Sequence, residues 1–523
     1  FFISLLVDQT IDKKQPNWGV KALPNLEMKF VAANSLLSLS KDLHLKDPEL
    51  ILQEEKLDDL RHKLFSGLPA EEKERIKQSD KETRKKMGEI LTRSGFDNED
   101  AKLLSEWDPF NQNESANFFD PPSMMGINHG FDIVIGNPPY IQLSKIKRAN
   151  SEVYKLYRNA GFEVHQATGD VYCLFIEQGY NLLKDNAGVF CMITSNKWMR
   201  AEYGESLRDF LANNTTPVYI IDFTKIKVFE AATVDVAILI FENILSNSET
   251  LSCKILDKWA KEDLHSYIKS MSIKNVFSPN KLWLILTDIE KDILKKVEAL
   301  GTPLKDWDIT INRGILTGLN EAFIIDGAKK DELIARDPKS AEIIRPILRG
   351  RDIKRYGYDF ADLWLIATHN GITRTNTPLI DVNRYPAIKD HLKQFQPSLR
   401  KRFDQGATPY NLRDCTYMED FYKQKIIYPC IMAQGPSFMF DEQGKFFTIA
   451  PGNIISGKSI LYLLGFLCSK TIYYALRNFY MGGGIEGELK TNRLLILPVP
   501  YITTRANSIE ELVLAMIRNN KPS

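Results

Sequence analysis

The chain has 523 residues, 44% hydrophobic and 26% charged, with a formal net charge of +1, which is ordinary for a soluble globular protein of two to four domains. Its longest apolar stretch, near Ile460–Cys468, is too short to span a bilayer, so no membrane partner is expected. The six cysteines have neither zinc-ligand nor Cys-x-x-Cys spacing, and no two of the seven histidines form an i, i+4 pair, which argues against a disulfide framework or a metal centre and for a reducing cytoplasm.

Charge is unevenly spread. Residues 301–523 carry 30 Lys+Arg against 23 Asp+Glu, a surplus that suits a phosphate-contacting lobe. At the other end, Phe1-Phe2-Ile3-Ser4-Leu5-Leu6-Val7 lacks an initiator Met and a basic flank, and reads as the interior of a helix cut at a chain boundary, not a signal peptide. Met28–Ala32 is predicted as a strand leading into Ala33-Asn34-Ser35-Leu36. Residues 41–105 are dense in charge with Leu and Ile at helical spacing, which predicts a helical insertion whose charges lie at the surface.

From 131 to 245 strands and helices alternate. Phe131–Gly136 reads as a buried strand, Val171–Leu183 as a helix after Asp170, Val189–Thr194 as a strand, Ser206–Ala212 as a helix, and Val218–Asp222 and Val234–Phe241 as strands. Asn137-Pro138-Pro139-Tyr140 follows the first strand, where open parallel sheets place their chemistry. The Asn137 side-chain oxygen and the Pro138 carbonyl can each accept one hydrogen of a planar amine. Two prolines stiffen the loop and remove two backbone donors, and Tyr140 offers a ring on which a base can stack.

Thr287–Leu300 is predicted as a connecting helix closed by Gly301 and Pro303. Beyond residue 302 short strands, many turns and helices near Tyr385–Gln394 and Ser459–Phe479 predict a separate α+β domain, with Leu494–Leu497 as a strand and Glu510–Arg518 as a short last helix.

Phe131–Tyr140 resembles the catalytic motif of S-adenosylmethionine-dependent amino-methylating DNA methyltransferases, and the order of the neighbouring motifs resembles the gamma class, which methylates the exocyclic N6 amine of adenine. Val228-Phe229-Glu230-Ala231-Ala232-Thr233-Val234-Asp235-Val236-Ala237 is similar to a later motif of that class. The resemblance assigns Asn137, Pro138, Pro139 and Tyr140 to the amine, Phe229 to packing on a flipped adenine, and Asn34 and Asn137 to the cofactor side, with no metal needed for methylation. Asp170-Val171-Tyr172, Phe175 and Gly188 to Asn196 resemble the intervening, mostly structural motifs.

The resemblance extends over nearly the whole chain to the methylase region of type IIG-like restriction–modification proteins. It implies an α/β Rossmann-like core with a helical insertion, followed by an α+β target-recognition domain. The expected boundaries are 1–40 for a remnant of the cofactor side, 41–115 for the insertion, 116–300 for the catalytic core, 301–500 for target recognition and 501–523 for a tail.

Asn312–Phe323 and Arg345–Ile353 look like parts of the recognition domain, with Arg313, Thr317, Asn320, Arg345, Arg349, Arg351, Lys354 and Arg355 as candidates for contact with double-stranded DNA. A second basic run, Arg384, Lys389, Lys393, Arg400, Lys401 and Arg402, is a further candidate for phosphate contact. A restriction nuclease, fused upstream or separate, is an expected partner. One departure stands out: the family's glycine-rich loop and the acid that holds the ribose are absent and expected upstream of Phe1, so weak or no cofactor binding is expected of the chain as it stands.

Gly482–Gly487 matches G-x-G-x-x-G but follows a helix, which predicts a tight loop. Pro429-Cys430 has no surroundings for cytosine-carbon chemistry, and Glu488-Leu489-Lys490 lacks the upstream acid of a nuclease. The alternatives to adenine methylation in DNA are a recognition module with an inactive or incomplete catalytic half, a protein glutamine methyltransferase, and an RNA adenine methyltransferase.

Overall fold

The protein is described by a computed structural model over residues 10–19, 29–39, 48–65, 68–95, 98–111, 113–224, 226–230, 234–246, 249–256, 263–372, 375–432, 434–481 and 487–519. The chain forms two compact units, Phe1–Ile285 and Leu286–Ser523.

In the first unit, helices α1 (Pro48–Phe65), α2 (Ala70–Arg93) and α3 (Asn98–Glu106) lie in the charged segment expected as an insertion. They bury Leu50, Leu57, Met87, Ile90, Leu91 and Leu104 in a shared core with Leu39, Phe118 and Met124. The expectation that the insertion's charges are all superficial fails at three residues. Arg61, Asp80 and Arg84 are buried. Arg84 Nε donates to Asp80 Oδ2 at 2.7 Å, and Arg61 Nε lies 3.8 Å from Asp80 Oδ1. Burial pulls the Arg61 pKa down to about 10, against the attraction of Asp80. A charge at helical spacing reads as solvated in sequence; here it faces a neighbouring helix.

The sheet follows: β1 (Ile133–Gly136), α4 (Leu143–Ala149), α5 (Ser151–Asn159), α6 (Tyr172–Asn181), β2 (Val189–Ser195), α7 (Glu205–Asn214), β3 (Thr216–Asp222), β4 (Val236–Glu242), β5 (Thr250–Lys254), α8 (Leu264–Met271) and β6 (Ile273–Asn275). Strand order is β1-β2-β4-β3-β5-β6. β1 runs parallel to β2 and β3 to β5, whereas β4 is antiparallel to both β2 and β3. One face packs Phe190, Met192, Leu239 and Phe241 against Leu174, Ile176, Leu207 and Leu211 of α6 and α7. The other gathers Ile221, Val236, Cys253 and Ile255 beneath Leu264, Tyr267 and Ile268 of α8.

Two strand expectations are corrected. β1 is not buried: Ile133 and Ile135 are 64% and 76% exposed. Among the described strands it pairs only with β2, so Val134 faces the α6 side and the alternate isoleucines face outward. Met28 lies outside the described residues, and Lys29–Ala32 form no strand; Ala33 makes a single bridge to Ala116.

The second unit opens with α9 (Asp288–Leu300), capped by a reciprocal box between Thr287 and Glu290. Further along come β7 (Thr302–Pro303), β8 (Ile309–Arg313), β9 (Ile324–Asp326), β10 (Ile344–Leu348), β11 (Leu363–Ile366), α10 (Pro386–Lys393), β12 (Lys425–Pro429), β13 (Met439–Asp441), β14 (Phe447–Thr448), β15 (Gly452–Gly457), α11 (Ile460–Leu467), α12 (Lys470–Ala475), α13 (Thr491–Leu495), β16 (Pro498–Val499) and α14 (Ala506–Asn519). Two four-stranded sheets, β14-β10-β11-β9 and β13-β12-β15-β8, share one core that includes Phe323, Ile347, Leu365, Ile388, Phe421, Ile427 and Ile454.

The helix after Thr287 belongs to this unit, since β7 directly after it pairs with β16. The expected tail is also part of it, because α14 packs on α11. Leu494–Leu497, expected as a strand, is the last two residues of α13 and the turn that follows it, closed by the Leu497 amide on the Leu494 carbonyl at 3.1 Å; Leu494 and Leu497 are both fully buried. Of the glycine-rich run, residues 482–486 lie outside the described residues. Among the described residues no helix is long and apolar enough to cross a membrane.

Candidate active site

The C-terminal ends of the parallel strands β1, β2 and β3 and the start of antiparallel β4 meet at one edge of the first sheet. That edge collects the loop Asn137–Tyr140, Asn196 after β2, Asp222 at the end of β3 and Thr224 after it, and Phe229 ahead of β4. Open α/β sheets bind ligands at such an edge.

The loop is held by its tyrosine. Tyr140 Oη lies 3.2 Å from the Ile193 carbonyl of β2 and 3.3 Å from Asn137 Oδ1. A phenol carries one proton, so it donates to one acceptor at a time; Asn137 Oδ1 keeps a lone pair for a further donor. Burial raises the Tyr140 pKa, which keeps the phenol a donor. The ring meets Tyr172 edge-on at 6.0 Å. Asn137 and Pro139 are exposed, and Pro138 is buried between them.

Tyr140 and Phe229 pack against the same cluster, formed by Ile221, Phe223, Val236, Cys253 and Ile255. Both aromatic side chains named from the sequence are therefore brought to one apolar floor, although 89 positions separate them in sequence. Phe229 is half-buried, so part of its ring faces solvent.

Sequence reasoning missed the polar network beside this floor. Tyr203 Oη donates to Asp170 Oδ2 at 3.1 Å, and the Tyr172 and Tyr203 hydroxyls lie 2.7 Å apart. Burial pushes the Asp170 carboxyl above its usual range, against the lowering effects of Tyr203, Lys197 and Lys145. Nearby, Asn196 Nδ2 donates to Asp222 Oδ1 and to Thr224 Oγ1, each at 2.8 Å. Asp170 and Asn196 stood in segments identified beforehand, but Tyr203 sits in Ala201-Glu202-Tyr203, where nothing local marks it.

Asn34 is placed apart from the loop's own hydrogen bonds. Its Nδ2 donates to Tyr157 Oη at 3.4 Å, and its Oδ1 accepts from the Leu36 amide at 3.3 Å. Leu36 joins the cluster against which Tyr140 packs.

In the second unit the candidate cations divide by environment. Arg345 donates to the carbonyls of Ala341, Glu342 and Ile344 and stacks on Tyr422. Arg349 grips Asp352 through Nε and Nη2 at 2.9 and 2.8 Å. Thr317 is buried, its hydroxyl donating to Asn320 at 2.6 Å. Arg313, Asn320, Arg351, Lys354 and Arg355 are exposed. From the second basic run, Arg402 departs most from expectation. It is 9% exposed and donates to the carbonyls of Thr317, Pro409 and Asn411 at 2.6, 2.8 and 2.8 Å. A guanidinium spent on three carbonyls braces the fold and leaves little to offer a phosphate. Cys430 is half-buried and burial raises its pKa, which opposes a nucleophilic thiolate.

Residues 26–229 match the Eco57I restriction-modification methylase family. The type II methyltransferase M.BstVI of Geobacillus stearothermophilus is 22% identical over 352 residues, covering 62% of this chain and 59% of that protein. The Type IIL restriction-modification enzyme MmeI, solved in complex with DNA, has a TM-score of 0.51 to this chain at 14% identity, covering 81% of this chain and 57% of that one, a likeness of fold. The chain thus spans under three-fifths of the length of both relatives. Asn137–Tyr140, Asp170, Tyr203 and Phe229 all lie within the segment that matches this methylase family.

Proposed function

We propose that this chain is the methylase and DNA-recognition part of a restriction–modification methyltransferase that methylates the N6 amine of adenine in double-stranded DNA. The observation that carries this reading is the joint placement of Asn137–Tyr140 and Phe229: two hydrogen-bond acceptors at the strand end, with two aromatic rings on one apolar floor beside them.

An adenine amine is a poor nucleophile because its lone pair is delocalised into the ring. Asn137 Oδ1 and the Pro138 carbonyl accept its two hydrogens, hold the nitrogen pyramidal and return lone-pair density to it. Both dipoles are fixed before reaction, so they stabilise the positive charge that develops on nitrogen at little reorganisation cost. Tyr140 and Phe229 hold the extruded base, offsetting an unstacking cost of about a few kcal/mol.

S-adenosylmethionine, when bound, supplies an electrophilic methyl group on a sulfonium. The described residues fit the amine and do not by themselves make a pocket for this donor. Asn34 spends its side chain on Tyr157 and Leu36, and among the described residues no glycine-rich turn precedes β1.

The second unit supplies recognition in this reading, with Arg313, Asn320, Arg351, Lys354 and Arg355 as its exposed contacts; a fused or separate nuclease completes the system. The test is transfer of labelled methyl groups to duplex DNA, to RNA and to a glutamine-bearing protein substrate, followed by identification of the modified base. N6-methyladenine in duplex DNA supports the reading. Label confined to RNA or to glutamine refutes it.

A further inference from the structure

Phe403 has a relative exposure of 104%, the highest of the exposed large hydrophobic residues in the described chain. It does not sit on a loose strand of chain. Arg402, directly before it, points inward onto the carbonyls of Thr317, Pro409 and Asn411. Asp404, directly after it, is held by Arg413 Nε at 2.9 Å. Gln405 Nε2 reaches back to the Arg400 and Arg402 carbonyls at 2.5 and 3.1 Å.

Gly406 adopts φ +66°, and a Cβ there would fall 2.3 Å from the Leu412 carbonyl oxygen, so the turn is closed as tightly as a glycine allows. Asn411, fully buried, donates to the carbonyls of Thr368, His369 and Ile380. The loop is fixed on both sides of one residue, and that residue's ring points into water. Leaving a phenyl ring exposed forgoes about 1.5–3 kcal/mol of burial.

The surroundings say which partner. Arg400 and Lys401, immediately before the pinned arginine, are exposed cations. The loop's one acid beside the ring, Asp404, is neutralised by Arg413. Through Arg402 the loop abuts Thr317 and Gly318, next to the exposed Asn320. An apolar ring presented rigidly among cations fits a stack of bases inside a polyanion; apolar wedges between base steps are a recurring device of DNA-bending proteins.

We infer that Phe403 is a wedge that inserts between, or stacks on, bases of the bound duplex, while Arg400 and Lys401 contact the flanking phosphates. This rests on the reading of the second unit as a DNA-binding unit, and the experiment separates the two. A duplex is selected for binding to the full-length protein from a randomised pool, and its affinity is measured as a function of salt for the parent, Phe403→Ala, Phe403→Trp and Lys401→Ala. Since Phe403 touches nothing, its replacement leaves the thermal transition in place. Phe403→Ala is expected to weaken binding about 5- to 150-fold, the scale of one lost base–aromatic stack, with the salt slope unchanged. Phe403→Trp retains affinity, and Lys401→Ala lowers the slope by about 0.9. Site-placed 2-aminopurine should brighten on binding to the parent and stay dim with Phe403→Ala. Equal affinity of parent and Phe403→Ala overturns the wedge alone. Failure of the parent to select any duplex overturns the recognition reading and the wedge with it. A concentration-dependent dimer lost in Phe403→Ala with DNA affinity intact assigns the ring to a second copy and also overturns the proposal.

Discussion

Replacing Arg402 by Met separates two meanings of a basic run. If Arg402 braces the fold, Arg402→Met leaves the carbonyls of Thr317, Pro409 and Asn411 without their shared donor in a buried site. A hydrogen bond from a charged group contributes about 1.5–3 kcal/mol net. Three would sum to about 4.5–9 kcal/mol, and partial relaxation and water entry bring the expectation to about 4 kcal/mol. Unfolding transitions of a unit the size of Leu286–Ser523 move by about 2–4 °C per kcal/mol, so the transition should fall by about 8–16 °C. Arg402→Lys keeps a charge but cannot span three carbonyls, and should fall in between. Scanning calorimetry reads the shift, and DNA binding well below the transition supplies the control. A variant that melts with the parent yet binds DNA with a smaller salt slope would show Arg402 to be a phosphate contact and refute the reasoning.

Other outcomes follow from the same geometry. Phe229→Ala should cost about 1–3 kcal/mol of base stacking, seen as weaker binding of duplexes that carry a mismatch at the target base, with Phe229→Tyr close to the parent. Asp80→Ala strands Arg61 and Arg84 in the core of the α1–α3 helical segment and should destabilise the first unit by about 3–5 kcal/mol in urea unfolding. Asp170 has a carboxyl pKa raised by burial, so its ionised form is disfavoured in the fold. Asp170→Asn should therefore raise the melting temperature at neutral pH, and the gain should vanish as pH falls below the usual carboxylate range, where Asp170 is protonated in both states.

Much of the site was legible because its signals are local. Asn137–Tyr140 abuts a short apolar strand, and the helix–strand alternation to Phe241 follows from apolar runs bounded by turn residues. The misreadings share a cause: each depended on what lies across from a residue. An Ile-Val-Ile run looks the same in a central strand and in β1, where only β2 lies alongside among the described strands. Asp80 and Arg84 have the spacing of a solvated i, i+4 pair, and only packing turns them inward. Arg400, Lys401 and Arg402 are alike in sequence, yet the third faces three carbonyls and hands exposure to Phe403. Tyr203 joins Asp170 and Tyr172 across 31 and more positions, which no periodicity reports.

The central claim, that Asn137 grips and activates an adenine amine, is tested most directly by methyl transfer to duplex DNA under single-turnover conditions with Asn137→Ala, introduced into a longer form of the protein first shown to bind S-adenosylmethionine. Loss of one fixed acceptor should lower the rate by about 10²–10³-fold with duplex affinity unchanged. A variant that transfers methyl groups to adenine as fast as the parent would contradict the account.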